Sequence, residues 1–136
     1  MSMPHHACAF VLRERPRRRE LLVFRRDGEL HVPCGLVAPD ESASEAAHRA
    51  LLDVAGLSDF GLVSMLHAEL ARGTSGAPFL RGSYAFECVD ERPRWQHVVC
   101  ADRPDHGALV DLFWAPLDDT LNLAGGLDDH LALLRG

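Results

Sequence analysis

The chain has 136 residues, 47% of them hydrophobic and 25% charged, with a formal net charge of −6. That length suits one domain spanning residues 1–136 around a single core, and the composition is that of a folded protein, not a disordered one. The acidic balance argues against a nucleic-acid polymer as partner, and no apolar run reaches bilayer-spanning length, so no membrane partner is expected.

Residues 7–14 (ACAFVLRE) are apolar and β-prone and predict a strand. The cluster Arg13, Arg15, Arg17, Arg18 and Arg19, with Pro16 inside it, reads as an exposed turn; charge following apolar sequence is the reverse of a secretory signal. ELLVFRR (20–26) is the returning strand, and Asp27-Gly28 is a two-residue hairpin signal leading into ELHVP.

A helix is predicted over Ala43 to Ala55. Ser42 and Glu45 form a capping box before it, and Gly56 stands where a left-handed stop is expected. Spacing by threes and fours groups Ala47, Leu51 and Ala55 on one face and Ala46, Ala50, Asp53 and Val54 on the next. Strands follow at 60–70, 79–89, 95–101 and 108–117, and a short helix is expected near Leu127 to Leu134. The order predicts an α/β or α+β sandwich with a mixed sheet.

Cys8, Cys34, Cys88 and Cys100 show neither a C-x-x-C pair nor zinc spacing, so a reducing, cytoplasmic setting is expected. The eight histidines also lack ligand spacing. There is no G-x-S-x-G elbow and no G-x-x-x-x-G-K phosphate loop.

The segment from Pro33 to Leu57, PCGLVAPDESASEAAHRALLDVAGL, resembles the signature G-x₅-E-x₇-R-E-U-x-E-E-x-G-U of the Nudix hydrolase (MutT-like) family, where U is a bulky apolar residue. Gly35, Glu41, Arg49, Leu51, Gly56 and Leu57 fall in register with it. The resemblance implies an α/β/α sandwich and hydrolysis of nucleoside diphosphates linked to another moiety, with magnesium or manganese. The physics is consistent: a divalent cation neutralises pyrophosphate and activates water, and hard cations need oxygen ligands.

By that resemblance Glu41 and Arg49 pair to brace the loop against the helix, with Glu41 and Asp53 as metal ligands. Together these three make the candidate catalytic set, and Gly35 lets backbone approach the metal and phosphates. The signature is degenerate: Ala50 and Val54 replace two of the three helix carboxylates, and the third is shortened to Asp53. Cys34 stands where a second glycine is usual; a small buried filler and a thiol near the site are both open.

The expected function is therefore binding of a small phosphorylated ligand, a nucleotide or nucleoside diphosphate derivative, with hydrolysis weak, altered or lost. One alternative is a fully active Mg²⁺- or Mn²⁺-dependent enzyme drawing carboxylates from Glu87, Asp90 or Glu91. Another is a non-catalytic sensing or protein-interaction module needing no metal. Arg25 and Arg81, with Arg26, are candidate phosphate contacts, and Phe79, Tyr84, Trp95 and Trp114 are candidate stacking residues whose simpler role is core packing. A homodimer is an open option.

Overall fold

A computed structural model describes residues 3–57, 60–73, 75–100, 103–118, 121–125, 127, 131 and 134. Strands β1 (His5–Arg15) and β2 (Arg18–Arg26) form an antiparallel hairpin, with Arg13 opposite Glu20 and Glu14 opposite Arg19. The turn Asp27-Gly28, with both φ angles positive (51° and 80°), reverses the chain into β3 (Glu29–His31). The glycine turn is itself a short strand, β4 (Cys34–Leu36), paired to β1 through Ala7 and Gly35.

Helix α1 (Ala43–Ala50) starts at the expected capping box. The Ser42 hydroxyl accepts from the Glu45 N–H at 3.2 Å, and the Glu45 carboxylate accepts from the Ser42 N–H at 3.0 Å. Beyond Ala50 the predicted α-helix widens into a π segment, Leu51–Ala55. Donors from outside the helix account for the change. The Asp53 carbonyl accepts from the Cys100 N–H (3.2 Å), and the Ala55 carbonyl accepts from the Trp95 indole N–H (2.8 Å). Gly56, at φ 68°, then turns its N–H back onto the carbonyls of Leu51 and Leu52.

Strands β5 (Phe60–Arg72), β6 (Pro78–Cys88), β7 (Arg94–Val98) and β8 (Leu109–Pro116) complete the set. Among the described residues they form one mixed sheet in the order β5-β6-β1-β2-β8-β7. There β1 and β6 run parallel, β3 adds to β2, and β4 adds to β1. This is the α+β architecture with a mixed sheet that the element order predicts.

Strand alternation builds two cores. Ala7, Ala9 and Val11 face Ala46, Ala47, Leu51 and Val54 of the helix, while Cys8, Phe10 and Leu12 face the opposite layer with Leu117, Leu121 and Leu123. Leu127, Leu131 and Leu134 are buried in that second core, as their shared face predicts. The residues between them, including His130, lie outside the described residues, as does Ala101 at the end of the strand expected at 95–101. Alanines at positions 46, 47 and 50 let the helix lie close on β1 and β4. A side chain on Gly35 would stand 3.5 Å from the Ala50 Cβ.

Candidate functional site

Arg49 organises one wall of the site. Its Nε and Nη2 donate to the two oxygens of Glu41, each at 2.9 Å, and Nη2 also donates to the Leu36 carbonyl at 2.7 Å. One turn along the helix, Nη1 donates to Asp53 Oδ2 at 3.3 Å. Glu41 Oε1 further accepts from the Ala38 N–H at 3.1 Å. The Arg49 hydrogen bonds, helped by that backbone N–H, lower the Glu41 pKa to about 2, and Arg49 is raised in return. One guanidinium thus ties the loop, the short strand β4 and the helix together.

Beside this brace lies a cleft of about 570 Å³ lined by β1, β2, β4 and the loop before β8. Phe24 and His31, directly opposite on β2 and β3, stack at 5.6 Å along one wall. Burial and the nearby Arg26 lower the His31 pKa; burial and Arg81 do the same to His6. Arg103 enters from the other side. Its Nη2 donates to the Cys34 carbonyl at 2.8 Å, and its Nε donates to Asp105 Oδ1 at 2.7 Å. Asp105 also accepts from Arg26 at 3.2 Å. Burial would raise the Asp105 pKa, but the hydrogen bonds and charge of Arg103 and Arg26 hold it below its usual value.

The residues singled out from the sequence separate into several places. Gly35, Glu41, Arg49 and Asp53 come together. Arg25 instead lines a separate cavity of about 590 Å³ beside Gly28, Pro116 and Leu123. Arg81 is buried, its Nε donating to Glu69 at 3.0 Å and its Nη1 to the Gly125 carbonyl at 2.7 Å. Neither lines the cleft of Gly35 and Arg49.

Glu87, Asp90 and Glu91 surround a third cavity of about 220 Å³, away from that cleft. Asp90 is paired to Arg92 and Glu91 to Arg15. Trp95 and Trp114 are tied down through their indole N–H groups to the carbonyls of Ala55 and Arg92, and Phe79 meets His6 edge-on. His48 packs on Phe60 at 4.5 Å and does not line the cleft. Cys34 lines it, but a hydrogen bond with the Cys8 thiol and burial push its pKa up, which suits filling rather than reactivity.

Arg103 and Asp105 are the cleft residues that sequence reading missed. They sit in a polar loop with no periodicity or motif, and only the fold brings them to Gly35.

The donor set does not fit the magnesium or manganese site that the signature implies. Ala50 and Val54 are 0% and 1% exposed and offer no oxygen. Glu41 and Asp53 each face the Arg49 guanidinium, which repels a second cation beside them. The Cys34 and Leu36 carbonyls accept from Arg103 and Arg49. Among the described residues no three His, Cys, Asp or Glu side chains are grouped to hold a metal ion. Nor, among them, is any helix long and apolar enough to cross a membrane.

The fold has many solved counterparts. An Ap4A hydrolase of C. elegans superimposes with a TM-score of 0.69 at 18% identity, covering 98% of this chain and 95% of that one. The Nudix hydrolase RenU of M. smegmatis gives 0.69 at 20% identity, covering 96% and 83%. The NUDIX domain of Shewanella oneidensis NrtR, solved with ADP ribose, gives 0.62 at 17% identity, covering 98% and 85%. At these identities the likeness establishes the fold alone. No curated protein matches the chain. The NUDIX domain family model matches residues 4–134, which is nearly the whole sequence, and the chain belongs to that family.

Proposed function

We propose that the cleft binds a small phosphorylated ligand, a nucleotide or a nucleoside diphosphate linked to another group, and that hydrolysis of its pyrophosphate is weak, altered or lost. The observation that carries this reading is the helix wall. Positions 50 and 54 are closed by buried alanine and valine, and the two remaining carboxylates are tied to Arg49. The cleft itself remains, at a volume suited to a nucleotide-sized ligand.

Within it the residues divide the work of binding. Arg26 and Arg103 present guanidinium edges, whose geometry matches phosphate oxygens. The stacked Phe24 and His31 wall offers a flat, partly apolar surface for a base or a ribose. Arg49, Glu41 and Asp53 hold the loop and helix in register, and Gly35 keeps the floor low enough for Arg103 to reach it. Neighbours that act on Ap4A or hold ADP ribose make those two compounds sensible first ligands. Each lost carboxylate costs about 3 kcal/mol of transition-state stabilisation, so two slow hydrolysis by about 10⁴-fold.

The test combines calorimetry with ADP ribose and diadenosine tetraphosphate and a turnover assay in Mg²⁺ and Mn²⁺. Binding in the range of about 1–100 µM is expected, with turnover about 10⁴-fold below a typical 10 s⁻¹. Turnover at ordinary enzyme rates would overturn the loss of activity. If Glu87→Gln or Glu91→Gln then abolished it, the carboxylates outside the signature would be the catalytic ones. No binding of either compound would overturn the ligand class.

A further inference from the structure

We infer that Arg103 is the fixed cation of the cleft: its guanidinium, together with Arg26, takes the diphosphate of the ligand, and binding is independent of a divalent metal. This rests on the nucleotide reading above and deepens it by assigning the phosphate site.

The three arginines lining the cleft differ in what their N–H groups are doing. On Arg49, Nε, Nη1 and Nη2 are all engaged, with Glu41, Asp53 and the Leu36 carbonyl, so it acts as a brace. Arg103 is held at Nε by Asp105 and at Nη2 by the Cys34 carbonyl, which leaves Nη1 without a partner among the described residues. That Nη1 lies 3.3 Å from where a Cβ on Gly35 would stand, so the guanidinium rests on the glycine strand at the floor of the cleft. Arg26 meets the same Asp105 through Nη2 alone, and its guanidinium lies 5.2 Å from the Phe24 ring. Asp105 therefore aligns two guanidinium groups side by side, each with donors left over.

Such a pair suits a diphosphate. Each guanidinium is a rigid planar fork of N–H donors matched to phosphate oxygens. Asp105 fixes them beforehand, so little ordering remains when the anion arrives. The same arrangement disfavours a divalent ion. A guanidinium donates to the Cys34 carbonyl, another donates to the Leu36 carbonyl, and two positive charges flank the floor. Gly35 serves this site directly, since a side chain there would press on the Arg103 Nη1.

The experiment titrates inorganic pyrophosphate and ADP ribose into the full chain, by calorimetry, first in EDTA and then in Mg²⁺. Both ligands are expected to bind in EDTA, with Mg²⁺ giving no strengthening. Arg103→Gln should weaken pyrophosphate binding about tenfold or more, Arg103→Lys less, and Arg94→Gln, a charge loss on an exposed strand, should change nothing. Thermal melts report whether each variant is folded, and the EDTA comparison on the unaltered chain needs no variant at all. Binding that appears only with Mg²⁺ would overturn this inference and leave the nucleotide reading standing. A folded Arg103→Gln that titrates like the unaltered chain would do the same. Absence of binding in both buffers would overturn both.

Discussion

The β1–β2 hairpin tip and the cleft are both rich in arginine, yet the two regions use it differently. At the hairpin, Arg13 donates to Glu20 at 2.9 Å and to the carbonyls of Asp90 and Arg92, and it lies 4.4 Å from the Trp114 ring. Arg18 joins Glu20, and Arg19 joins Glu14 and the Leu134 carbonyl. In the cleft, by contrast, Arg26 and Arg103 share a single carboxylate, that of Asp105, and both line the cavity. The dense run along the chain is therefore scaffold, and the sparse arginines gathered by the fold make the anion-facing surface. Where an arginine can bind a ligand depends on how many of its donors the protein has already used.

The largest expected effect tests the scaffold half of that contrast. Arg13 has a side chain only 8% exposed, and truncating it takes a donor from the Asp90 carbonyl, from Glu20 and from the Arg92 carbonyl, which keeps only the Trp114 indole N–H among the described residues. Arg13→Ala should destabilise the fold by about 3 kcal/mol, read by urea unfolding, while leaving pyrophosphate affinity unchanged. If affinity fell and stability did not, the roles of the two regions would have to be exchanged.

Next comes the brace. Arg49→Ala removes the common partner of Glu41 and Asp53 and should cost about 2 kcal/mol, less than at Arg13 because this guanidinium is 36% exposed. The loss of its hydrogen bond to the Leu36 carbonyl should also loosen β4 beneath the cleft. Faster amide exchange confined to Cys34–Leu36 would report that loosening. Arg103→Ala, where the guanidinium holds only the Cys34 carbonyl and Asp105 among the described residues, should cost less stability than either.

Acid provides a graded version of the same test. Glu41, held by Arg49 at about 2 against an ordinary 4.5, binds protons less readily folded than unfolded. Its contribution is therefore complete above about pH 4.5 and is lost as pH falls toward about 2. At the hairpin Glu20 shifts in the same direction, where hydrogen bonds and charge from Arg13 and Arg18 overcome the opposing effect of burial. Thermal melts through this window should show a falling midpoint, and Glu41→Gln should flatten the acid limb without removing it. An unchanged limb would mean that the brace contributes nothing to acid sensitivity.

Much of this architecture is written in local sequence, because it depends on neighbours a few residues apart. The Ser42–Glu45 capping box and the Gly56 stop need only helix spacing. The Glu41–Arg49 pair follows from the signature register, and the structure brings those two side chains together as expected. Other features depend on contacts distant along the chain. The π segment arises because Trp95 and Cys100 donate to helix carbonyls, which no helical propensity encodes. Arg81 meets Glu69 across a strand pair interrupted by two irregularities of register, so its engagement is not readable from spacing. Arg103 reaches Gly35 from a loop 68 positions further along the chain, with no pattern to announce it.

The smallest expected effect concerns chain neighbours on one strand. Arg25 and Arg26 are adjacent on β2, so the pleat sends them to opposite faces. Phe24 and Arg26 share the cleft face, while Arg25 lines the separate cavity near Gly28. Alternation in the sequence does not reveal this parity, because Leu21, Leu22, Val23 and Phe24 are all buried and β2 is covered on both sides. Arg25→Ala should therefore shift stability by less than about 0.5 kcal/mol and leave pyrophosphate affinity within about twofold. Arg26→Ala should weaken that affinity several-fold, since it removes one of the two guanidinium groups aligned by Asp105. Equal losses at both positions would mean that the anion is held by diffuse charge along β2, and that the pairing geometry at Asp105 does not select its place.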